Sequence, residues 1–580
     1  MGGGNRIPPM NSQKVASDPG QNLYLHAVVD LGSNGIRCSI SDLSHPTTRV
    51  IPTVHYHRVN ISLYEAQVDP DSGSRIPIPQ HVIDRIVSAI VRFQIVCVEI
   101  GVPAQNIRII ATEATRTAIN ASAFMDAIRH ETGISVEALR KEEEGVIGAW
   151  GIASSVSDVE GLALDLGGGS MQMTWITSHA GNVHMSSQGS VSFPYGAAAL
   201  TQKLADLERG KSKEEAHKAR EQFRGEMAGN FRAAFDTLNV PEQLVQRARE
   251  QGGISSLPLR GRISGMGLSS TKGQSYPISI INGYTAPKKD FEDTEALKEV
   301  ARTAHEIFRV SDRRRKQVPS VAFLVKTLAE SLPHGIKEAH FCQGGVREGV
   351  LFREMLPVVR QQDPLEVATA RYAPSSAEAL AALLLAALPR PSASRSFPSS
   401  ISLHLVQAFA NALYYHATMS KELSSSAALY STSTGILAST HGIPHDHRAL
   451  LALMLQERYG GELPPRDVEF KTHLQAILTR EEVWWTRYLG KLGFVLGQLY
   501  PTGSIDTSKP RIIPSAQWKN GLGKKGKKEG LDLTISIQKS SKNDVQKIEK
   551  VGKRKNWIGG RNGWGIKVRV SVIEEDLVAR

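Results

Sequence analysis

The chain has 580 residues, 41% of them hydrophobic, which is enough for three or four domains with their own cores. Three scattered cysteines (Cys38, Cys97, Cys342) exclude a disulfide framework or a cysteine zinc site and point to a reducing, cytoplasmic setting. The longest apolar run, Ala379 to Leu388, is far short of the ~20 residues that a bilayer crossing needs, so no membrane association is expected. Of the net charge of +12, about +10 lies beyond residue 500, where 18 Lys/Arg face 8 Asp/Glu. Such a basic end either attracts polyanions and acidic partners or is a solvated, partly disordered tail.

In chain order, residues 1–22 open with MGGGNRIPPM, lack a secretion signal and read as a disordered arm. Residues 27–40, AVVDLGSNGIRCSI, read as strand, tight turn, strand. Val82, Ile83, Ile86, Val87, Ile90 and Val91 repeat at helical spacing over 80–100, and Gly101-Val102-Pro103 stops that helix. NIRIIA (106–111) is a buried strand, ATEATRTAIN opens a helix, 134–138 is a short strand and 142–152 a helix. Residues 162–176, LALDLGGGSMQMTWI, repeat the first hairpin 135 residues later, a spacing that fits a duplicated domain and not a solenoid. Helical, charged segments follow at 203–250 and 290–331, and FCQGGVREGVLF (341–352) reads as strand, glycine turn and helix start. PRPSASRSFPSS (389–400) is a Pro/Ser linker. Residues 401–500 are helical, with Trp484, Trp485, Tyr488 and Leu489 as core, and GIKVRVSVI closes the chain as a strand. The domain reading is a first α/β domain at 23–169, a second at 170–360, a helix and linker at 361–400, a helical domain at 401–500 and a basic α+β module at 501–580.

The two Asp-Leu-Gly turns carry the chemistry. In Asp30-Leu31-Gly32-Ser33-Asn34-Gly35 the glycines let backbone N–H groups approach an anion, Ser33 and Asn34 add donors, and Asp30 stands ready to hold Mg²⁺. Alone, this motif is also a plain hairpin turn. Asp165-Leu166-Gly167-Gly168-Gly169-Ser170 repeats the design with three glycines, entropically costly inside a strand pair unless a ligand approaches the backbone. As a pair the turns point to two phosphate loops facing a cleft.

Five motifs in order, DLGSN, ATEATR (111–116), RKEEEG (140–145), DLGGGS and GGVREG (344–349), resemble the exopolyphosphatase / guanosine pentaphosphate phosphatase (Ppx/GppA) family over about residues 25–360. STSTGILASTHGI (431–443), the Trp-Trp pair and EKVGKRKNW (549–557) resemble its fungal retrograde regulation protein 2 branch. The resemblance implies an α/β fold of duplicated actin-like ATPase (ribonuclease H-like) domains, followed by a helical domain and a basic C-terminal module. It implies Glu144 as the base for attacking water, Arg116 as a phosphate contact, phosphate bound by Gly32, Ser33, Asn34, Gly167, Gly168, Gly169 and Ser170, and Mg²⁺ held by Asp30 and Asp165. The plainer alternatives are a solvated helix face for Glu144 and a surface arginine for Arg116. Arg347 and Glu348 read as a structural ion pair, and His445-Asp446 as a helix start, not a metal dyad.

Two departures stand out. The family's Thr-Glu after the glycine turn is Met171-Gln172 here, and Gln is no anionic ligand or base. The third glycine motif is best matched by ISGMGLS (263–269), poorly. The implied activity is hydrolysis of terminal phosphates from polyphosphate or a guanine or adenine nucleotide in an inter-domain cleft, within mitochondria-to-nucleus signalling through protein partners. The alternatives are a non-catalytic regulator that binds the same ligands and a small-molecule kinase. Direct nucleic-acid binding is not expected.

Overall fold

The structure is a computed structural model, and it describes residues 21–69, 72–179, 181–254, 257–261, 283, 285–303, 312–392, 395–432, 434–438, 440, 442–523, 528–538 and 545–574. The ISGMGLS segment and nearly all of the N-terminal arm lie outside the described residues. The chain divides into two compact units, 1–140 and 141–580. Among the described residues no helix is long and apolar enough to cross a membrane.

The first unit is a five-stranded sheet in the order β3-β2-β1-β4-β5. The strands are β1 (Leu25–Gly32), β2 (Gly35–Asp42), β3 (Thr53–Val59), β4 (Ile107–Ala111) and β5 (Val136–Ala138). The β1/β2 and β2/β3 pairs are antiparallel, and β1/β4 and β4/β5 are parallel. α1 (Gln80–Ile100) covers the sheet with the apolar stripe Val82, Ile83, Ile86 and Ile90, and it ends where Gly101 turns left-handed and donates to the Cys97 carbonyl. α2 (Glu113–Arg116) and α3 (Ala121–Thr132) connect β4 to β5.

The second unit opens with α4 (Lys141–Ser154) and repeats the sheet plan. Its strands are β6 (Val159–Leu166), β7 (Met171–His179), β8 (Asn182–Met185), β9 (Val191–Phe193), β10 (Leu257–Gly261), β11 (Thr285–Pro287) and β12 (Glu338–Phe341). The path is β11-β12-β10-β6-β7-β8, with β9 also on β7. The run β8-β7-β6-β10-β12 has the same antiparallel, antiparallel, parallel, parallel sequence as the first sheet. The fold is therefore α/β with duplicated actin-like, ribonuclease H-like domains. The sheet is covered by α5 (Ala197–Glu208), α6 (Lys213–Thr237) and α7 (Glu242–Gln251), then α8 (Lys288–Phe291), α9 (Thr294–Thr303), α10 (Asp312–Lys316) and α11 (Val318–Ser331), with α12 (Val346–Glu354) after β12.

Beyond it come α13 (Pro357–Arg360), α14 (Pro364–Ala370), α15 (Ala377–Ala386), α16 (Leu403–Ala412), α17 (Lys421–Tyr430), α18 (His445–Tyr459), α19 (Pro465–Ile477) and α20 (Arg480–Leu499). A three-stranded sheet ends the unit: β13 (Ile512–Leu522), β14 (Lys528–Ile537), α21 (Gln546–Val551) and β15 (Lys567–Glu574). Trp484 and Trp485 are fully buried, as their spacing suggests, and they meet the end sheet through Trp564 and Trp518 at 6.2 and 6.3 Å between ring centres. The basic end is thus folded onto α20 over its described residues. In the Pro/Ser segment, Arg395 is tied to Glu529 at 2.6 Å and to Asn520 at 2.8 Å, on β14 and β13.

Candidate functional site

In the first unit, β1 carries Asp30 to the turn with its side chain buried. Its register partner across the hairpin is Arg37, whose Nη1 lies 3.9 Å from the carboxylate. Gly32 pairs with Gly35, and Ser33 and Asn34 form the tip. Gly35 sits at φ +152°, and a Cβ there would press on the Val59 carbonyl at 3.2 Å. The tip is buried because residues 60–64 fold over it. The Tyr64 amide donates to the Ser33 carbonyl at 2.9 Å, and the Ser62 hydroxyl donates to Asn34 Oδ1 at 3.1 Å. That bond orients the Asn34 amide. Arg116 ends α2 half-buried, and its guanidinium donates to the Leu139 carbonyl just past β5. The same arginine thus ties a helix to a strand end.

In the second unit, Asp165 and Gln172 are register partners on β6 and β7, flanking the Gly167–Ser170 turn. The turn's carbonyls face the start of α5. Ala197 N–H donates to Gly167 at 3.0 Å, those of Ala198 and Ala199 to Gly168 at 2.9 and 3.1 Å, and that of Gly196 to Gly169 at 3.3 Å. Only glycine fits at 196, because a Cβ would overlap the Gly168–Ser170 backbone. With its carbonyls so engaged, the turn presents N–H groups. Gly167 N–H donates to the Ser170 carbonyl at 2.9 Å, while those of Gly168, Gly169 and Ser170 have no acceptor among the described residues. Consecutive amides of this kind form an anion nest.

Gln172 is 3% exposed, and its amide donates to the hydroxyls of Ser170 at 2.7 Å and Ser192 at 3.3 Å. Helix α4 lies against this pair. A Cβ at Gly148 would stand 3.1 Å from Asp165 Oδ2, and one at Gly145 would run into Ser190 beside Gln172. Glu144, in the first turn of α4, is buried at 8% exposure, whereas Glu142 is exposed. The charge run is therefore not uniformly a solvated face.

α12 crosses α4 on glycines. A Cβ at Gly151 would stand 2.5 Å from the Gly345 carbonyl, and Gly344 and Gly349 touch the α4 backbone in the same way. Glu348 accepts from the Gly345 amide at 2.7 Å and pairs with Arg347 at 3.2 Å, the structural role read from the sequence. His445, at the start of α18, donates its amide to the Gly283 carbonyl at 3.1 Å. Ser62, Ser192 and Gly196, which shape the two turns, belong to none of the sequence motifs.

As a Mg²⁺ site, the second turn offers one carboxylate, Asp165, with a neutral amide opposite it. Such a set suits a magnesium ion that keeps several waters and takes phosphate oxygens. It does not suit an ion caged by protein carboxylates.

The Ppx/GppA phosphatase family matches residues 42–357, and the RTG2 C-terminal domain matches residues 363–576. Retrograde regulation protein 2 of Saccharomyces cerevisiae is 36% identical over 497 residues, 83% of this chain and 82% of its own. Exopolyphosphatase 1 of Mycobacterium tuberculosis is 28% identical over 179 residues, 30% of this chain and 47% of its own. A solved Ppx/GppA enzyme of Aquifex aeolicus is 19% identical, with a TM-score of 0.43, 57% of this chain and 99% of that chain covered.

Proposed function

The chain belongs to the Ppx/GppA phosphatase family, in the branch of Retrograde regulation protein 2, and from that premise we propose that it is a phosphate-binding regulatory protein of the cytoplasm. Its ligand is polyphosphate or a guanine or adenine nucleotide, held by terminal phosphates, and its output is retrograde signalling through protein partners. The observation that carries this reading is the Gly168, Gly169 and Ser170 amides, left open while the carbonyls of Gly167, Gly168 and Gly169 are taken by the start of α5. In the first unit Ser33, Asn34 and Arg116 would supply donors to the same class of ligand with Asp30 as a Mg²⁺ contact, and in the second unit Asp165 would be the Mg²⁺ contact.

Little turnover is expected, because the amide of Gln172, committed to Ser170 and Ser192, leaves the site one anionic ligand short. When bound, Mg²⁺ would neutralise phosphate charge. Hydrolysis is the second reading, and buried Glu144 favours it as the residue that would take a proton from attacking water. Calorimetry with ATP, GTP and polyphosphate, alongside phosphate release in Mg²⁺, separates the two. Binding by wild type and Glu144→Gln alike, with no release from either, supports the regulator. Release by wild type that Glu144→Gln abolishes supports the hydrolase, and no binding of any of the three sinks both.

A further inference from the structure

On the outer side of the second sheet, α5, α6, α9 and α11 enclose an open hollow of about 420 Å³. Glu208, the last residue of α5, lines it, so about 18 Å of helix separates it from the glycine turn at the start of α5. Lys213, His217, Arg220 and Arg224 fall at i, i+4, i+7 and i+11 along one face of α6, and Lys326 of α11 faces them. The floor is Phe323, stacked on Phe223 with ring centres 6.4 Å apart.

The two arginines are already positioned. Arg220 lies 5.7 Å from the Phe323 ring centre and pairs with Glu208 at 2.8 Å. Arg224 pairs with Glu221 at 3.4 Å and also with Glu330. Lys298 pairs with Glu295 on its own helix. Lys213 and Lys326 line the hollow and make no ion pair within 4.0 Å among the described residues, although the Glu295 carboxylate stands near enough to Lys326 to feel its charge. Five cations (Lys213, Arg220, Arg224, Lys298, Lys326) line the hollow against two carboxylates (Glu208, Glu221), and that excess of positive charge around one concave volume with an aromatic floor suits several phosphates held close together.

We propose that this hollow is a second anion site, which binds a compact ligand carrying several phosphate groups and is separate from the glycine turns. The full chain is titrated with inorganic tripolyphosphate in low salt, as wild type, Lys213→Ala/Lys326→Ala and Glu208→Gln. The double variant is expected to bind about tenfold more weakly at one class of sites, and Glu208→Gln, which frees Arg220 for the ligand, about threefold more tightly. Tripolyphosphate bound at the glycine turn persists in the double variant, so failure of that site and of this one are told apart. A gain in Glu208→Gln cannot come from unfolding. Unchanged affinity in the double variant, or weaker binding in Glu208→Gln, overturns the proposal. A parallel titration with ATP assigns the source at the sites that Lys213→Ala/Lys326→Ala weakens: tighter binding there than tripolyphosphate marks a nucleotide site, and weaker binding one for inorganic chains.

Discussion

Gln172 and Arg448 show how much one side chain can decide. Gln172→Glu would set a second carboxylate opposite Asp165, where an ion can bridge them but a bare phosphate meets more negative charge. We expect nucleotide binding to weaken roughly fivefold in EDTA and to tighten by a similar factor in excess Mg²⁺, about 1 kcal/mol each way, as read by calorimetry. Arg448 is 1% exposed and has no acidic partner among the described residues. Its guanidinium instead donates to the carbonyls of Ile443, Thr432, Leu437 and Thr440 at 2.7–3.0 Å. Burial lowers its pKa to about 10, so it remains charged at neutral pH. Arg448→Met would strand four buried acceptors, and a loss of about 3 kcal/mol or more is expected in urea unfolding.

Elements meet closely where the sequence has glycine, and the α4–α12 crossing is the clearest case. In an exposed helix, Gly→Ala gains about 1 kcal/mol. At Gly151 the added carbon would lie 2.5 Å from a backbone carbonyl that cannot swing aside, and overpacking costs about 1–3 kcal/mol. Gly151→Ala is therefore expected to lower the thermal midpoint, whereas Gly229→Ala, with nothing near its Cβ position, is not. A second junction is Glu457 of α18, which binds Lys471 of α19 at 2.9 Å and Lys491 of α20 at 3.1 Å. Burial alone would raise its pKa, but the two lysines outweigh it and hold the value at about 2, well below the usual carboxylate range. The depressed value gives stability that is full above pH ~4.5 and is lost as pH falls toward 2, on the order of 3 kcal/mol. Glu457→Gln should flatten that acid limb when urea midpoints are compared between pH 6 and pH 3.

The elements legible from sequence were those with a strong local period: both hairpins, α1, β4 and α4 lie where the apolar spacing put them. The edge strand β3, with Val54 and Tyr56 exposed, and the short strands β8 and β9 have no such period. At the candidate site the two turns were visible in their glycines. The cover of Ser62 over Asn34 and the backing of Gly196 against the turn arise from contacts 28 residues apart in one case and across three intervening strands in the other, which no local pattern encodes.

At the scale of the molecule, the basic end is held to the helices by apolar and aromatic surface. Trp518 and Trp564 cap the buried Trp484–Trp485 pair, and Lys547 lies 4.3 Å from the Phe494 ring centre. Asp532, 4% exposed, anchors Arg569 at 2.6 Å and Lys519 at 2.9 Å within the sheet. Deleting residues 501–580 removes most of the net positive charge but also uncovers those tryptophans. The expected result is red-shifted tryptophan emission and aggregation of the truncated chain, and a soluble product with unshifted emission would show that the helices close without the sheet.

Helix α4 begins with Glu144 in its first turn and ends at Ser154, whose carbonyl abuts Gly442, a left-handed residue at φ +78° with no room for a side chain. Gly442 belongs to the loop that wraps the guanidinium of Arg448. The helix is about 21 Å long, with Gly148 against Asp165 and Gly151 against the Gly344–Gly345 backbone along its length. One helix of the Ppx/GppA-like part thus abuts the strand that leads into the glycine turn at one end and the C-terminal helical part at the other, through contacts too close for any side chain larger than glycine.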